Sequence, residues 1–286
     1  MSNLVLAYGN LADVATYSGG GWLPALPLTN LGDRRLERVA RSVSTLAADT
    51  TLDASFPTPR LMRVIALANH NAAPLARRRI RLSSTPDFSA IVHDSGWADV
   101  WPTVYPFGSL PWGSPSLWTG KYSAEQIAAF GGGPMTYILP ESMNAQYLRI
   151  DIDDASNPDG YFQAGRLFAA DGWQPVRNMK KGATYAWEDP TEVQDALSGA
   201  EYFNERQPYR VVRFELPVQT EDEALAMTFE IQRAVGISKE VLFIRDPGDT
   251  VHAIRTRFLG RLRGLSPMEN FLPGYWRTPF EIKELL

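Results

Sequence analysis

The sequence predicts a mostly β protein of two domains, a β-sandwich over residues 1–185 and a smaller β domain over residues 186–286 with one helix alongside. Three observations predict it. In residues 147–152 (YLRIDI), Leu148, Ile150 and Ile152 fall on one face of an extended segment and Tyr147, Arg149 and Asp151 on the other, the period-2 pattern of a half-buried strand. Residues 153–160 (DDASNPDG) are turn chemistry, and residues 161–170 (YFQAGRLFAA) resume as a strand in which Gly165 marks a bulge or a close backbone approach. Residues 221–235 are a single capped helix inside a stretch that otherwise alternates like strands.

At 286 residues the chain is long enough for two cores, and 44% hydrophobic with 21% charged residues is ordinary for a folded protein. A formal net charge of -4 speaks against a dedicated, sequence-specific nucleic-acid binder. There are no cysteines, which removes thiolate metal sites, disulfides and cysteine nucleophiles together and makes a reducing cytoplasm the simplest place to fold. The beginning, MSNLVLAYGNLADV, lacks the basic region and long apolar core of a secretory signal, and no run approaches the roughly 20 apolar residues of a membrane span. No membrane insertion is expected.

In chain order, residues 4–8 suggest a first strand, and Gly19, Gly20 and Gly21 lead into a Pro-punctuated extended segment whose Trp22, Leu28 and Leu31 dock on the sandwich. Residues 61–69 (LMRVIALAN) read as a buried strand. Residues 76–84 contain RRRIRL, and the alternation through Ile80, Arg81 and Leu82 makes this a strand with a solvated basic face rather than a phosphate site. Residues 96–122 are rich in aromatics, Pro and Gly, too Pro-rich for a helix. Trp97, Trp101, Trp112 and Trp118 are the candidate carbohydrate-binding residues here, because pyranose faces stack on aromatic platforms. The more ordinary reading is that these rings plug a core or line a subunit interface. Ser123 and Gln126 form a capping box for a short helix stopped by Gly131, Gly132 and Gly133.

Asp151, Asp153, Asp154, Asn157 and Asp159 invite a calcium ligand set, but their spacing fits no EF-hand register, and a solvated turn is expected. The mostly polar residues 188–199 suit an exposed connection between domains. Residues 200–218 read as two strands joined by a turn at 205–208. Thr220 and Glu223 form a second capping box, Gly236 ends the helix, and residues 240–245 and 251–263 follow as strands. In the latter, Arg255, Arg257, Arg261 and Arg263 are expected on one face, where they could meet carboxylates of a neighbouring subunit. Residues 276–286 close the domain with Phe280 and Ile282 inward.

The wording of residues 20–42 (GGWLPALPLTNLGDRRLERVARS), YLRIDIDD and NPDGYFQAGRLFAA resembles the galactose-binding-like (discoidin-like) β-sandwich found in structural proteins of long-tailed bacteriophages, over most of residues 1–180. Residues 200–286, with hairpin, single capped helix, strand ending in a DP turn, long strand and F-x-I-x-E-L terminus, are similar to the ring-forming domains of siphophage distal tail and tail-tube proteins. The resemblance implies a jelly-roll-like sandwich followed by a tail-tube-like β-sandwich or split barrel with one flanking helix. It also implies a homo-oligomeric ring, a hexamer, at the tail tip of a virion assembled in the host cytoplasm. The tail tube and baseplate hub proteins would be its partners.

His70, His93 and His252 lie far apart without metal-ligand spacing, and no G-x-S-x-G, P-loop or dinucleotide fingerprint occurs. No metal, cofactor or catalytic residue is therefore expected. Three function classes remain: a structural virion protein, a module that binds host-surface glycan, and an enzyme acting on such glycan through carboxylates that the fold brings together.

Overall fold

The computed structural model describes residues 2–131 and 133–286. The protein is mostly β, with every strand pairing antiparallel. The principal strands are β1 (Val5–Tyr8), β2 (Leu52–Ala68), β3 (Arg77–Ser83), β4 (Met135–Asp153), β5 (Arg166–Ala170), β6 (Thr184–Glu188), β7 (Glu192–Asp195), β8 (Glu201–Asn204), β9 (Tyr209–Thr220), β10 (Glu240–Ile244), β11 (Arg257–Leu262) and β12 (Tyr275–Glu284). One seven-stranded sheet runs β5-β2-β4-β3 and continues into Ile91–Asp94. A second runs β1-β10-β11-β12-β9-β6. The strands β7 and β8 pair only with each other.

Period-2 alternation explains how the two sheets stack. Along β2, past a register shift between Met62 and Val64, Ile65 and Leu67 join Met62 in a core under the first sheet, while Val64, Ala66 and Ala68 face the second sheet. Along β10, Leu242 and Ile244 meet that same middle layer, and Val241 and Phe243 enter a third core with Phe214, Phe258 and Phe280. Each sheet thus buries side chains on both of its faces at the contact, which is the sheet-on-sheet arrangement of a sandwich. Fully burying one such Leu, Ile or Phe contributes about 1.5–3 kcal/mol.

The middle layer redraws the expected division at residue 185. The first strand, β1, pairs with β10 in register Val5↔Ile244 to Tyr8↔Val241 and so belongs to the second sheet. Its other edge exchanges hydrogen bonds with Trp173 at 2.9 and 2.8 Å. Leu4 and Leu6 point to one apolar core, Val5 and Ala7 to another, so this short apolar run needs partners on both faces, which only the second sheet supplies. In sequence, the strands of the sandwich sheet are inserted between β1 and the other strands of the second sheet.

Helix α1 (Ala124–Ala129) carries the reciprocal Ser123–Gln126 capping box. Helix α2 begins as the π-helical Glu223–Phe229 and continues through Glu230–Val235, ended by Gly236 at φ 56. Its capping box is only half formed. Thr220 Oγ1 accepts the Glu223 N–H at 3.3 Å, but the Glu223 carboxylate accepts from the Val176 N–H at 2.9 Å, because the residue is turned inward and nearly buried. Gly165 is a true close approach: a Cβ there would sit 2.3 Å from the Leu36 carbonyl oxygen.

Two expected strands differ. Residues 201–204 do not hairpin onto β9; they turn back on β7 with Val193 opposite Phe203 and Gln194 opposite Tyr202. Residues 251–263 are not one strand, since Ala253–Thr256 form a helical turn before β11 begins at Arg257. The acidic turn also departs from expectation. Asp154 is 1% exposed, accepting the Ala73 N–H at 3.2 Å and the Asn157 amide at 2.8 Å, so it ties two loops together rather than facing solvent. Burial raises its pKa above the ordinary carboxylate range.

Candidate functional site

The residues singled out by sequence lie on one exposed aromatic surface and along the arginine strand, and a second exposed apolar surface stands apart from both. In the first, residues 96–122 run as loops and turns above the sandwich. The four tryptophans separate there. Trp101 is buried, donates its indole N–H to the Ala72 carbonyl at 3.0 Å, and packs on His70, so it is a core plug. Trp97 is partly exposed, with the Arg77 guanidinium 5.9 Å from its ring centroid. Trp112 and Trp118 are exposed by 86% and 77% and stand edge to face, with centroids 5.9 Å apart and planes at 73°. A pair of crossed indoles in solvent is a geometry that can stack an apolar ring face.

The second surface was missed in the sequence. Strand β6 is the outer strand of the second sheet, pairing on one side with β9 and leaving the other edge open among the described residues. The chain leaves β6, forms the β7–β8 hairpin, and returns into β9, so the hairpin is an arm extending beyond the sheet. Every residue of β7 and β8 is exposed. The arm nevertheless displays Val193, Leu197, Tyr202 and Phe203, and Tyr185 and Trp187 extend this apolar surface along β6. A turn closed by the Ala196 N–H to the Ala200 carbonyl, 2.8 Å, with Gly199 at φ 81, holds the tip. The available signal was E-V-Q-D and E-Y-F-N flanking a Ser198-Gly199 turn, a hairpin pattern hidden by its charged residues.

Of the four arginines, Arg257, Arg261 and Arg263 keep the period-2 register of β11 and its extension and so share a face, while Arg255 is set apart from them. Arg255 lies on the helical turn, donating to the Tyr122 hydroxyl at 2.7 Å and covering the Phe130 ring at 4.9 Å. Arg257 is buried and donates to Thr136 Oγ1 at 2.8 Å and to the Pro247 and Asp249 carbonyls at 2.9 and 2.8 Å. Arg261 makes long contacts, 3.4 Å, to the Ile237 and Leu262 carbonyls. Arg263 is half exposed and pairs with Glu188 at 2.5 Å and Glu281 at 3.0 Å, which holds the Glu188 carboxyl below its usual range. The break in the strand at residue 256 removes Arg255 from the row, and the other three differ in burial along one face rather than in direction.

Among the described residues no group of three or more His, Cys, Asp or Glu side chains could hold a metal ion, and no helix is long and apolar enough to cross a membrane. His93 contacts the Tyr137 hydroxyl at 2.6 Å, while His70 is buried.

No protein-family model matches the chain, and no curated protein does. Among solved structures, it is similar to a family 32 carbohydrate-binding module of Clostridium perfringens NanJ in complex with galactose, at 10% identity and a TM-score of 0.37, over 58% of this chain and 98% of that one. It is also similar to a chitosan-binding module from a chitosanase/glucanase of Paenibacillus sp. IK-5, at 12% identity and a TM-score of 0.35, over 57% of this chain and 98% of that one. A third is the CBM32 of AlyQ in complex with 4,5-unsaturated mannuronic acid, at 12% identity and 0.35, over 57% and 96%. Likeness at this distance decides nothing about a ligand. The tail-protein resemblance rests on the sequence motifs alone.

Proposed function

We propose that the protein is a structural component of a long-tailed bacteriophage virion that assembles with further copies of itself, as a ring at the distal tail that links the tube to the tip proteins. The observation that carries this is the arm. An isolated two-stranded hairpin is marginal in water, and exposed apolar side chains grouped on one element mark a surface that docks. Next to it, the open edge of β6 offers unpaired backbone donors and acceptors, which sheet extension into a neighbouring copy would satisfy. Light scattering with negative-stain microscopy tests this: closed rings are expected for the parent chain, and monomers for Leu197→Asp/Phe203→Asp.

A second reading is favoured by the Trp112–Trp118 pair: a carbohydrate-binding module that recognises host-surface glycan. The crossed indoles would take the apolar face of a sugar. Saturable binding on a glycan array, lost in Trp118→Ala, supports it; assembly without any glycan binding leaves the structural role alone. Neither role calls for a catalytic residue.

A further inference from the structure

Four arginines are at least nine-tenths buried: Arg166, Arg210, Arg78 and Arg257, at 0%, 6%, 9% and 8% exposure. Arg166 pairs with Glu240 and Asp13, and Arg210 pairs with Glu284. Arg78 and Arg257 have no carboxylate partner among the described residues. They also meet at one residue. Arg78 donates Nη2 to the Thr136 carbonyl at 3.3 Å, and Arg257 donates Nη1 to the Thr136 hydroxyl at 2.8 Å. Nε and Nη1 of Arg78 and Nε of Arg257 find no acceptor among the described residues.

The two guanidiniums line a cavity of about 130 Å³ between the sandwich sheet and the turn before β11, together with Thr136, Thr250, Asp99 and Trp101. The facing charges do not neutralise them. Asp99 is engaged by Lys121 at 3.0 Å. Asp249 and Asp246 favour the Arg257 cation from beyond ion-pair distance without outweighing its burial, and one carboxylate oxygen of Asp246 takes the Ser2 and Gly248 N–H groups and one of Asp249 that of His252. Burial, with the Arg257 charge nearby, pushes Arg78 down to about 10. A charge buried without a partner is costly, and two of like sign are costlier.

We propose that this cavity binds a small oxyanion, phosphate or sulfate, clamped between Arg78 and Arg257. The guanidinium fork matches tetrahedral oxyanions; Arg78, stacked 4.9 Å from the Tyr137 ring centroid, would turn its two unpaired nitrogens toward the anion as it binds. Size selects against larger ligands. At about 130 Å³ the cavity is well below the roughly 300 Å³ at which sites for larger organic ligands start. The bound anion ties β3 of the first sheet to β11 of the second, so it reinforces the junction between them.

The test is calorimetric titration of the full chain with inorganic phosphate and, separately, sulfate at constant ionic strength, followed by thermal melts in each. Saturable one-site binding is expected, with either anion displacing the other and the melting temperature rising as the site fills. Arg78→Met should lose at least tenfold in affinity, and Arg233→Met on the exposed face of α2 should lose nothing. The proposal is overturned if neither anion saturates, or if Arg78→Met and the parent chain gain equal melting temperature, which is a general salt effect. If Arg78→Met does not fold, Arg257→Met provides the same comparison. Should that fail as well, the parent titration decides: one saturable site shared by both anions upholds the proposal, and its absence overturns it.

Discussion

The Arg166 guanidinium meets Glu240 across the two sheets, fully buried, with its Nε 3.1 Å from each carboxylate oxygen. Arg166 belongs to β5 of the sandwich sheet and Glu240 to β10 of the second. The Asn10 amide donates to the same carboxylate at 2.6 Å and to the Leu167 carbonyl at 2.8 Å, and Asp13 accepts from Arg166. Desolvation of these charges is offset only because the pair is well matched in geometry and its remaining donors are occupied. Together with the middle apolar layer, this makes the two sheets one packed unit.

Breaking that pair should therefore destabilise the whole chain. Arg166→Met leaves Glu240 buried without its cation, a loss of about 3–5 kcal/mol. Urea unfolding measures it, and a single transition displaced to lower urea is expected. A loss below about 1 kcal/mol would mean that the sheets fold independently.

Arg257 and Arg261 should behave differently although they lie four residues apart in the same strand, β11. Arg257→Glu places a carboxylate among the Asp246, Pro247 and Asp249 carbonyls and should prevent folding, whereas Arg261→Glu should change stability by no more than about 0.5 kcal/mol. Circular dichroism melts of the two variants read this directly. Equal stability would contradict the placement of Arg257.

How much of this was legible in the sequence depends on how local the deciding contact is. The Ser123–Gln126 box, the Gly236 stop and the Gly165 approach are each set within a few residues or by one backbone contact, and the residue types announce them. Arg78 was legible in principle, since it is in phase with Ile80 and Leu82 on the buried face, but a run of three arginines reads as solvated. The partner of β1 lies more than two hundred residues away, and no local pattern names it. The aromatic stretch 96–122 was found, but which indole is a plug and which is exposed is decided by how the loop closes over Ala72, not by the Trp-rich composition.

His70 gives a pH signature. Its ring is enclosed by Trp101 and Phe162, and burial lowers its pKa from 6.5 to about 4. The folded state thus resists protonation that the unfolded state accepts. The contribution is fully present above pH 6.5 and is lost as pH falls toward 4, to a total of about 3 kcal/mol. Comparing urea midpoints of the parent chain and His70→Gln between pH 7 and pH 4.5 isolates it, because the carboxylates titrate in both. Parallel pH profiles would show that the ring is not enclosed.

Trp118→Ala should be thermodynamically silent, within about 0.5 kcal/mol, since the side chain is 77% exposed. Trp101→Ala should cost about 3–5 kcal/mol through lost core volume and the unpaired Ala72 carbonyl. Thermal melts of both variants separate the exposed ring from the buried one.

The most direct test of the structural role is the mass and shape of the purified chain, with and without the apolar tip of its arm. Light scattering and negative-stain images should show a closed ring for the parent chain. Leu197→Asp/Phe203→Asp should give a monomer with unchanged melting temperature. A parent chain that stays monomeric at high concentration, and is found in no tail tip, would contradict the claim and leave the glycan-binding role to be pursued.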